Sequence, residues 1–486
     1  MIISQDEYNV TKQINRQLYV KINLLNYKFQ TVDELSGTLV GNPTFSINAD
    51  SDMRRTCSFS LIPTDSSFDI SAGNKIWMDK YVQVFIGIYN HNIDKITYSK
   101  QGLYILNSPN VSYSAINHVI SLQGIDLMAK LTGMRNGQLE GLPHKIDENS
   151  DVKEAVMACL NLAGFNQYII EDFPIKTPYE IKVDVGGTIF DILNELRNIL
   201  PNYQMYFDVD GVFHFEQIPN GKNEQIFIDD DIWESVLVDY NKSVDFSQVK
   251  NVIEVFGKTH EIHNFADKEN IKIVDNVYNM TISSVTTLRD LIKIGFISTT
   301  PLKNPKITIN GSKAFPILNE DQTAPILESG EQYYVVKFKE YENSTEENLQ
   351  GYFEFMGNVE PHAIAKEENA ESPFYVGGRL GEIREVLNGG EYDNIYTTSL
   401  AQERANWELY TKCKLKDSVS LSCIPIYWID VNRVIEITLP NKDGTKETNQ
   451  YIIKNINTNF GINGIQTIEC MRYYPFYSNY ARNIKE

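Results

Sequence analysis

A run of alternating apolar residues punctuated by turns occurs near the start of this chain and returns, imperfectly, near its end. This repeat constrains the fold more than any other feature. In the first copy Val82, Val84, Ile86 and Ile88 form a strand-like run, followed by Tyr104-Ile105-Leu106, by Tyr113 nine residues on, and by Val119 to Leu122. In the second, Val434-Ile435-Glu436-Ile437 precedes Tyr451-Ile452-Ile453, Phe460 nine residues on, and Gln466 to Cys470. Each copy reads as strand, loop, strand, turn, strand, because side chains in a strand alternate between two faces. The last strand of the second copy is displaced by about one residue, a slip that reverses its faces unless a bulge restores the register.

With 486 residues the chain exceeds the roughly 250–300 at which a single core stops growing, so several domains are expected. From Leu18 to Leu131 nearly every segment alternates, and Gly37, Pro43, Pro63, Gly73 and Pro109 separate strands of ordinary length, the pattern of a barrel or sandwich. That unit closes at Gly124-Ile125-Asp126, with Asp126 placed to cap a short helix, Leu127 to Leu131. The period then lengthens. Val152, Val156, Cys159, Leu160 and Ala163 recur at helical spacing after Ser150, an N-cap candidate, with Gly164 at the C-cap. A second helix, Ile189 to Leu200, starts after Thr188 and stops at Pro201, and Asp208-Val209-Asp210-Gly211 joins two strands as a hairpin.

Strand patterns resume at Val249 to Val255 and give way to a β-leaning region from Asn264 to Asn394. A helix, Leu400 to Leu409, carries Ala401, Ala405 and Leu409 on one face, and the second barrel pattern runs from Val419 to Arg472. The chain is therefore predicted to be mainly β with a smaller α+β part. The expected divisions are a first β-barrel (1–135), an α+β domain (136–240), the start of a second β-barrel (241–263), a β-rich insertion (264–394), and a helix with the remainder of the second barrel (395–486).

Composition narrows the function classes. A 42% hydrophobic content with 28 Tyr and 23 Phe excludes a mainly disordered chain, and tyrosine suits interfaces because its ring buries area while its hydroxyl stays satisfied. The net charge of -20 argues against specific nucleic-acid binding and against docking on anionic lipid. Acidic residues are spread out apart from short runs such as Asp229-Asp230-Asp231, as on a solvated surface. Cys57, Cys159, Cys413, Cys423 and Cys470 contain no CxxC pair and are expected to be buried free thiols. Met1 to Val10 lacks an apolar signal region and no run approaches 18 apolar residues, so neither a secretion signal nor membrane insertion is expected.

Catalytic patterns are weak. His260 and His263 share a face only in a helix, whereas the preceding residues alternate like a strand. His91, His118, His144, His214 and His362 are scattered, without the partners of a triad. Asp208 to Gly211 opens like a calcium loop, but Pro219 stands where a bidentate Glu is required and Val212 where a polar ligand is. Gly186-Gly187-Thr188 reads as a helix cap without a following Lys, and Gly377-Gly378 and Gly389-Gly390 as turns. No catalytic, metal or cofactor-binding residue is therefore expected. The alternatives are a cell-wall (peptidoglycan or polysaccharide) hydrolase using a carboxylate pair, which sequence cannot place in space, and a receptor- or carbohydrate-binding protein using Trp77, Trp233, Trp407 or Trp428 as stacking platforms. Core packing is the better account of Trp407 and Trp428.

Three groups of segments resemble the baseplate hub, or tail-hub, family of tailed phages and related contractile particles. The first is Gly102 to Leu106 with Ile120 to Asp126. The second runs from Thr188 to Leu193 through Leu200-Pro201-Asn202-Tyr203 to Phe207-Asp208 and Gly211 to Phe213. The third runs from Ser372 to Tyr375 and Gly390 to Tyr396 through Ala401 to Tyr410 and on to Ile424 to Asn432. The resemblance implies two tube-type barrels per chain and a homotrimer whose six barrels meet a hexameric tail tube. It implies as partners the tail tube protein, a spike or tail-tip protein, baseplate wedge proteins and a tape-measure protein, within a virion or tail-like bacteriocin assembled in the bacterial cytoplasm. Tyr104, Tyr113, Tyr451 and Phe460 are the expected interface residues, and the negative charge is expected to line the channel and repel phosphate. The end at Glu486, soon after the second barrel pattern, is expected to leave fibre or lysin activities to separate chains.

Overall fold

A computed structural model of the chain describes residues 4–473 except 14, 116–117, 141–143, 173–174, 178, 201–202, 219–224, 227, 229, 320, 346–347, 441–442 and 462–463. Pro201, Asn202, Pro219, Asp229 and Glu486 thus lie outside the described residues. The chain is mainly β and divides into two compact units. Of the described residues, the first comprises those from 4 to 248 with those from 415 to 473, and the second Val249–Lys414.

The first unit is built on a thirteen-stranded sheet. Its strands are β1 (Leu18–Leu25), β2 (Thr31–Glu34), β3 (Leu39–Asn48), β4 (Arg55–Leu61), β5 (Tyr81–Asn90), β6 (Lys95–Tyr113), β7 (His118–Ile125), β8 (Leu237–Asp245), β9 (Lys416–Cys423), β10 (Val434–Pro440), β11 (Lys446–Asn459), β12 (Gln466–Arg472) and the short strand Gln225–Ile226. The main path runs β8-β9-β12-β11-β3-β4-β7-β6-β5-β1-β2. β10 lies along β11 and in turn pairs with Gln225–Ile226. One half therefore has the spatial order β3-β4-β7-β6-β5 and the other β8-β9-β12-β11-β10, so five strands recur in the same order.

The repeat extends to side chains. Tyr104 and Tyr451, each at the same place in a long strand, are both fully buried. Leu106 opposes Gly124 as Ile453 opposes Cys470, and Asn110 opposes Ser121 as Asn457 opposes Thr467. Both long strands carry a bulge between these points, between Asn107 and Asn110 in β6 and between Ile453 and Asn455 in β11. The one-residue displacement between the copies thus falls in the following turn. Ile120, Leu122 and Gly124 in β7 and Gln466, Ile468 and Cys470 in β12 all stay buried. Gly124 is required by close approach, since a Cβ there would lie 2.5 Å from Cys57 Sγ and 2.9 Å from Tyr104 Cβ. Gly124→Val is expected to destabilise by about 1–3 kcal/mol through overpacking, read as a lower denaturation midpoint.

Each half has its own core. Val82, Val84, Ile86, Tyr104, Phe59 and Leu122 fill the first, and Ile435, Ile437, Tyr451, Ile453, Leu421 and Trp233 the second. Trp233 lies on a short helix (Asp230–Val236) and donates to the Glu436 carbonyl at 3.1 Å, and Trp428 donates to Thr11 Oγ1 at 2.9 Å. These two tryptophans are core residues, not exposed platforms.

The α+β part contains helices Val152–Leu162 and Ile189–Asn198, packed on strands Tyr203–Phe207, Phe213–Gln217 and Tyr168–Ile170. Thr188 caps the second helix in a capping box with Asp191, as its sequence predicts. The cap of the first is Asp151 rather than Ser150, because the Asp151 carboxylate reaches the Glu154 N–H at 2.9 Å. Asp126 caps the short helix Leu127–Lys130. Leu25, Tyr81, Leu103 and Ile105 from the sheet enter the same core as these elements, so this part shares its interior with the first half.

The second unit holds an eight-stranded sheet between Phe265 and Asn358, and a three-stranded sheet of His362–Lys366, Val252–Phe256 and Arg384–Leu387. Helix Thr398–Lys412 packs Ala401, Ala405 and Leu409 against Ile253, Val255, Ala363 and Ala365. Two boundaries differ from expectation. Val252–Phe256 pairs within this unit and does not start the second half of the large sheet, and the helix after Asn394 belongs here as well. Apolar alternation reports that a strand is buried, not which sheet buries it. The strand that opens the second half is β8, whose mostly exposed side chains leave no such alternation to read.

Candidate assembly site at the strand junction

The two halves meet where β3 runs antiparallel to the end of β11. Asn48 faces Asn455, Ile47 faces Ile456, Ser46 faces Asn457, Phe45 faces Thr458 and Thr44 faces Asn459. Ala49 N–H donates to the Lys454 carbonyl at 2.9 Å and Phe460 N–H to the Pro43 carbonyl at 2.8 Å. Pro43 accepts there without a hydrogen of its own to donate. On the outer face Ser46 Oγ lies 2.7 Å from Asn457 Oδ1. On the inner face Phe45 enters the first core and Ile47 the second, so β3 serves both.

The four residues expected at an interface are dispersed. Tyr104 and Tyr451 are core residues, with no surface to offer a partner. Phe460 is buried at the junction, its ring 6.2 Å from that of Tyr427. Tyr113 is 79% exposed at the end of β6. The residues sequence reasoning missed here are Ser46 and Asn457, small polar residues whose only signal is their position beside buried neighbours.

The outer face around the junction is hydroxyl- and amide-rich. Thr44, Ser46, Thr56, Ser58, Gln123, Asn457, Asn459 and Thr467 contribute to a depression of about 470 Å³. The same character continues through Ser60 and Ser121, 2.9 Å apart, and Ser243 and Ser418, 2.8 Å apart. Glu469, bonded by Asn455 at 3.2 Å, shares this face with Asp239 and Asp245 of β8.

Beneath the junction lies a buried polar cluster. Arg55 at the head of β4 pairs with Asp430 at 2.5 Å, and its neighbour Arg54 donates to Gln204 at 2.8 Å while lying 3.8 Å from the centre of the Tyr206 ring. Asn432 bonds the same Gln204 oxygen at 2.6 Å. Asp126 accepts the N–H groups of Arg55 and Met128, and burial pushes its carboxyl up to about 6 despite them. The cluster thus ties the first half, the α+β part and the approach to β10 together.

Asp208 closes its turn by accepting the Asp210 and Val212 N–H groups, each at 2.9 Å, and its other oxygen meets His214 at 3.1 Å. Burial disfavours charge on His214, but bonds to Asp208 and Glu216 outweigh it and raise the imidazole to about 9. Because the folded value lies above the unfolded one, near 6.5, the stabilisation is fully present below that pH and is lost as pH rises through about 9. It is worth about 2–3 kcal/mol. His214→Gln is therefore expected to lower the melting midpoint at pH 6 and to leave it nearly unchanged at pH 10, measured by scanning calorimetry.

His260 is buried with its ring edge-on to Tyr396 at 4.7 Å, whereas His263 is exposed. Among the described residues no group of three or more His, Cys, Asp or Glu side chains gathers as metal ligands, and no helix is long and apolar enough to cross a membrane. All five cysteines are free, and burial raises their thiols above the ordinary range.

A family model described as a domain of unknown function, DUF5048, matches residues 371–477. No curated protein sequence matches the chain. Solved structures similar to it include the 43 kDa tail protein of prophage MuSo2 from Shewanella oneidensis, at 10% identity and a TM-score of 0.49 over 93% of this chain and 98% of that one. The tail protein from Neisseria meningitidis MC58 is similar at 7% identity and a TM-score of 0.47, over 93% and 97% of the two chains. The E. coli c3393 protein, described as a type VI secretion component structurally similar to T4 bacteriophage tail proteins gp27 and gp5, is similar at 7% identity and a TM-score of 0.38, over 95% and 74%.

Proposed function

We propose that this chain is a structural hub of a phage-type tail, acting as a homotrimeric ring that joins the tail tube to a central spike and to the baseplate. The observation that carries the reading is the recurrence of β3-β4-β7-β6-β5 as β8-β9-β12-β11-β10 within one continuous sheet. Two such barrels, joined edge to edge, let three chains present six similar units, so that a three-fold body can meet a six-fold tube with similar contacts. The tube, spike or tail-tip, wedge and tape-measure proteins are its partners, and the chain has no catalytic role of its own.

The hydroxyl- and amide-rich face is the surface we assign to the channel. A wall mostly of hydroxyls and amides, with Asp239, Asp245 and Glu469 among them, does not gather phosphate as a basic lining would. The acidic surplus then serves solubility.

The purified chain is expected to have a three-chain mass by sedimentation equilibrium and to leave cell-wall zymograms uncleared. A stable monomer that lyses cell walls would overturn the reading.

A further inference from the structure

Each half closes one end of its core with charged residues, and the signs are opposite in the two halves. Cys57 opposes Gly124 in the first half as Val419 opposes Cys470 in the second. Arg55 stands two residues before Cys57, and Asp417 two residues before Val419. Asp126 stands two residues after Gly124, and Arg472 two residues after Cys470. Superposing Tyr104 on Tyr451 therefore brings Asp417 onto Arg55 and Arg472 onto Asp126. Strand alternation puts these side chains on the core side, because Cys57, Val419 and Cys470 are core residues.

The first end is filled from within the chain. Arg55 takes the carboxylate of Asp430, 375 residues away, at 2.5 Å, and Asp126 accepts the Arg55 and Met128 N–H groups. The second end is looser. Lys242 in β8 lies 3.6 Å from Asp417 and 4.0 Å from Glu447 in β11, and Arg472 lies 3.8 Å from each. Two cations thus straddle the same two carboxylates, and each separation exceeds the about 2.7–2.9 Å of a charge-assisted hydrogen bond. Asn449 donates to Glu447 at 2.7 Å. Asp417 is 8% exposed, and its Oδ1 is buried without a hydrogen-bond partner among the described residues. The Lys242 and Glu447 side chains, 35% and 47% exposed, form a solvent-side rim above it that can turn aside.

We infer that this end of the second half is a receptor for a lysine or arginine side chain of a partner protein, which bonds Asp417 Oδ1 beside Glu447. The sign follows from the inversion. The buried cation of the first half takes an incoming carboxylate, so the buried carboxylate of the second takes an incoming cation. Lys242 turns out to solvent as the newcomer enters, and the two carboxylates then face Arg472 and the incoming charge, which keeps the set balanced. The inversion also sorts the two ends, since a carboxylate such as that of Asp430 would meet Asp417 at the wrong one. The receptor lies within a single chain and does not depend on the ring proposed above.

A fluorescein-labelled peptide, Gly-Arg-Gly-Arg-Gly, is expected to bind the full chain saturably when read by anisotropy, and Gly-Glu-Gly-Glu-Gly is expected not to. Asp417→Asn is expected to weaken the arginine peptide about tenfold or more, whereas Glu469→Gln on the outer face leaves it unchanged. Asp417→Arg with Arg472→Asp gives the second half the charges of the first and is expected to reverse the preference toward the glutamate peptide. That double variant also carries the test should Asp417→Asn fold poorly. Equal binding of the arginine peptide to the native chain and to Asp417→Asn overturns the receptor and leaves the ring standing. So does a native chain without saturable binding, or a double variant that still prefers arginine.

Discussion

Asp430→Ala is expected to destabilise the chain by about 3–5 kcal/mol, a large share of the roughly 5–15 kcal/mol that separates most folded domains from their unfolded chains. The Arg55 and Asp430 side chains are 2% and 9% exposed, and the pair spans 375 residues of sequence. Burial opposes the Arg55 charge, but Asp430 holds the guanidinium ionised, above its ordinary range. Without the carboxylate, Arg55 cannot shed its proton at any accessible pH and remains as an uncompensated charge beside Arg54. Removing both charges has a different outcome. Arg55→Met with Asp430→Leu is expected to recover most of the loss, because a hydrophobic pair avoids the desolvation that the ion pair must offset. Urea denaturation of the two single variants and the double variant measures the coupling. A loss below about 1 kcal/mol in Asp430→Ala would show that water reaches Arg55.

The cluster also shows what the sequence could and could not reveal. Tyr104 and Tyr451 announce the repeat because they sit in apolar alternation that survives in both copies, and Thr188 and Asp126 announce caps because capping is a local interaction. Arg54, Arg55, Gln204 and Asp430 carry no periodic signal, since nothing in a linear chain marks two charges for burial against each other across such separations. The second boundary failed for a related reason. Val252–Phe256 has the stronger strand pattern, yet β8 is the strand that extends the sheet, and a strand at the end of a sheet with mostly exposed side chains looks like a loop in hydropathy. Expecting the interface at Tyr104 and Tyr451 treated tyrosine content as surface, when the same ring also fills cores.

Tyr451→Ala and Tyr104→Ala are each expected to cost about 3–5 kcal/mol, the range for deleting a buried aromatic ring. Both rings are fully buried at equivalent positions of their halves. Tyr104 also donates its hydroxyl to the Gln101 carbonyl at 3.0 Å, so its loss leaves a buried acceptor as well as a cavity. The comparison tests how the halves are coupled. β3 places Phe45 in one core and Ile47 in the other, and the Arg55–Asp430 pair bridges them below, so damage to either core should be felt by both. Each variant is therefore expected to lower protection from hydrogen exchange in β5 and in β10 together. If Tyr451→Ala loosened β10 and left β5 fully protected, the halves would be separate folding units touching along one strand pair, and the internal junction would be a docked interface rather than a shared core.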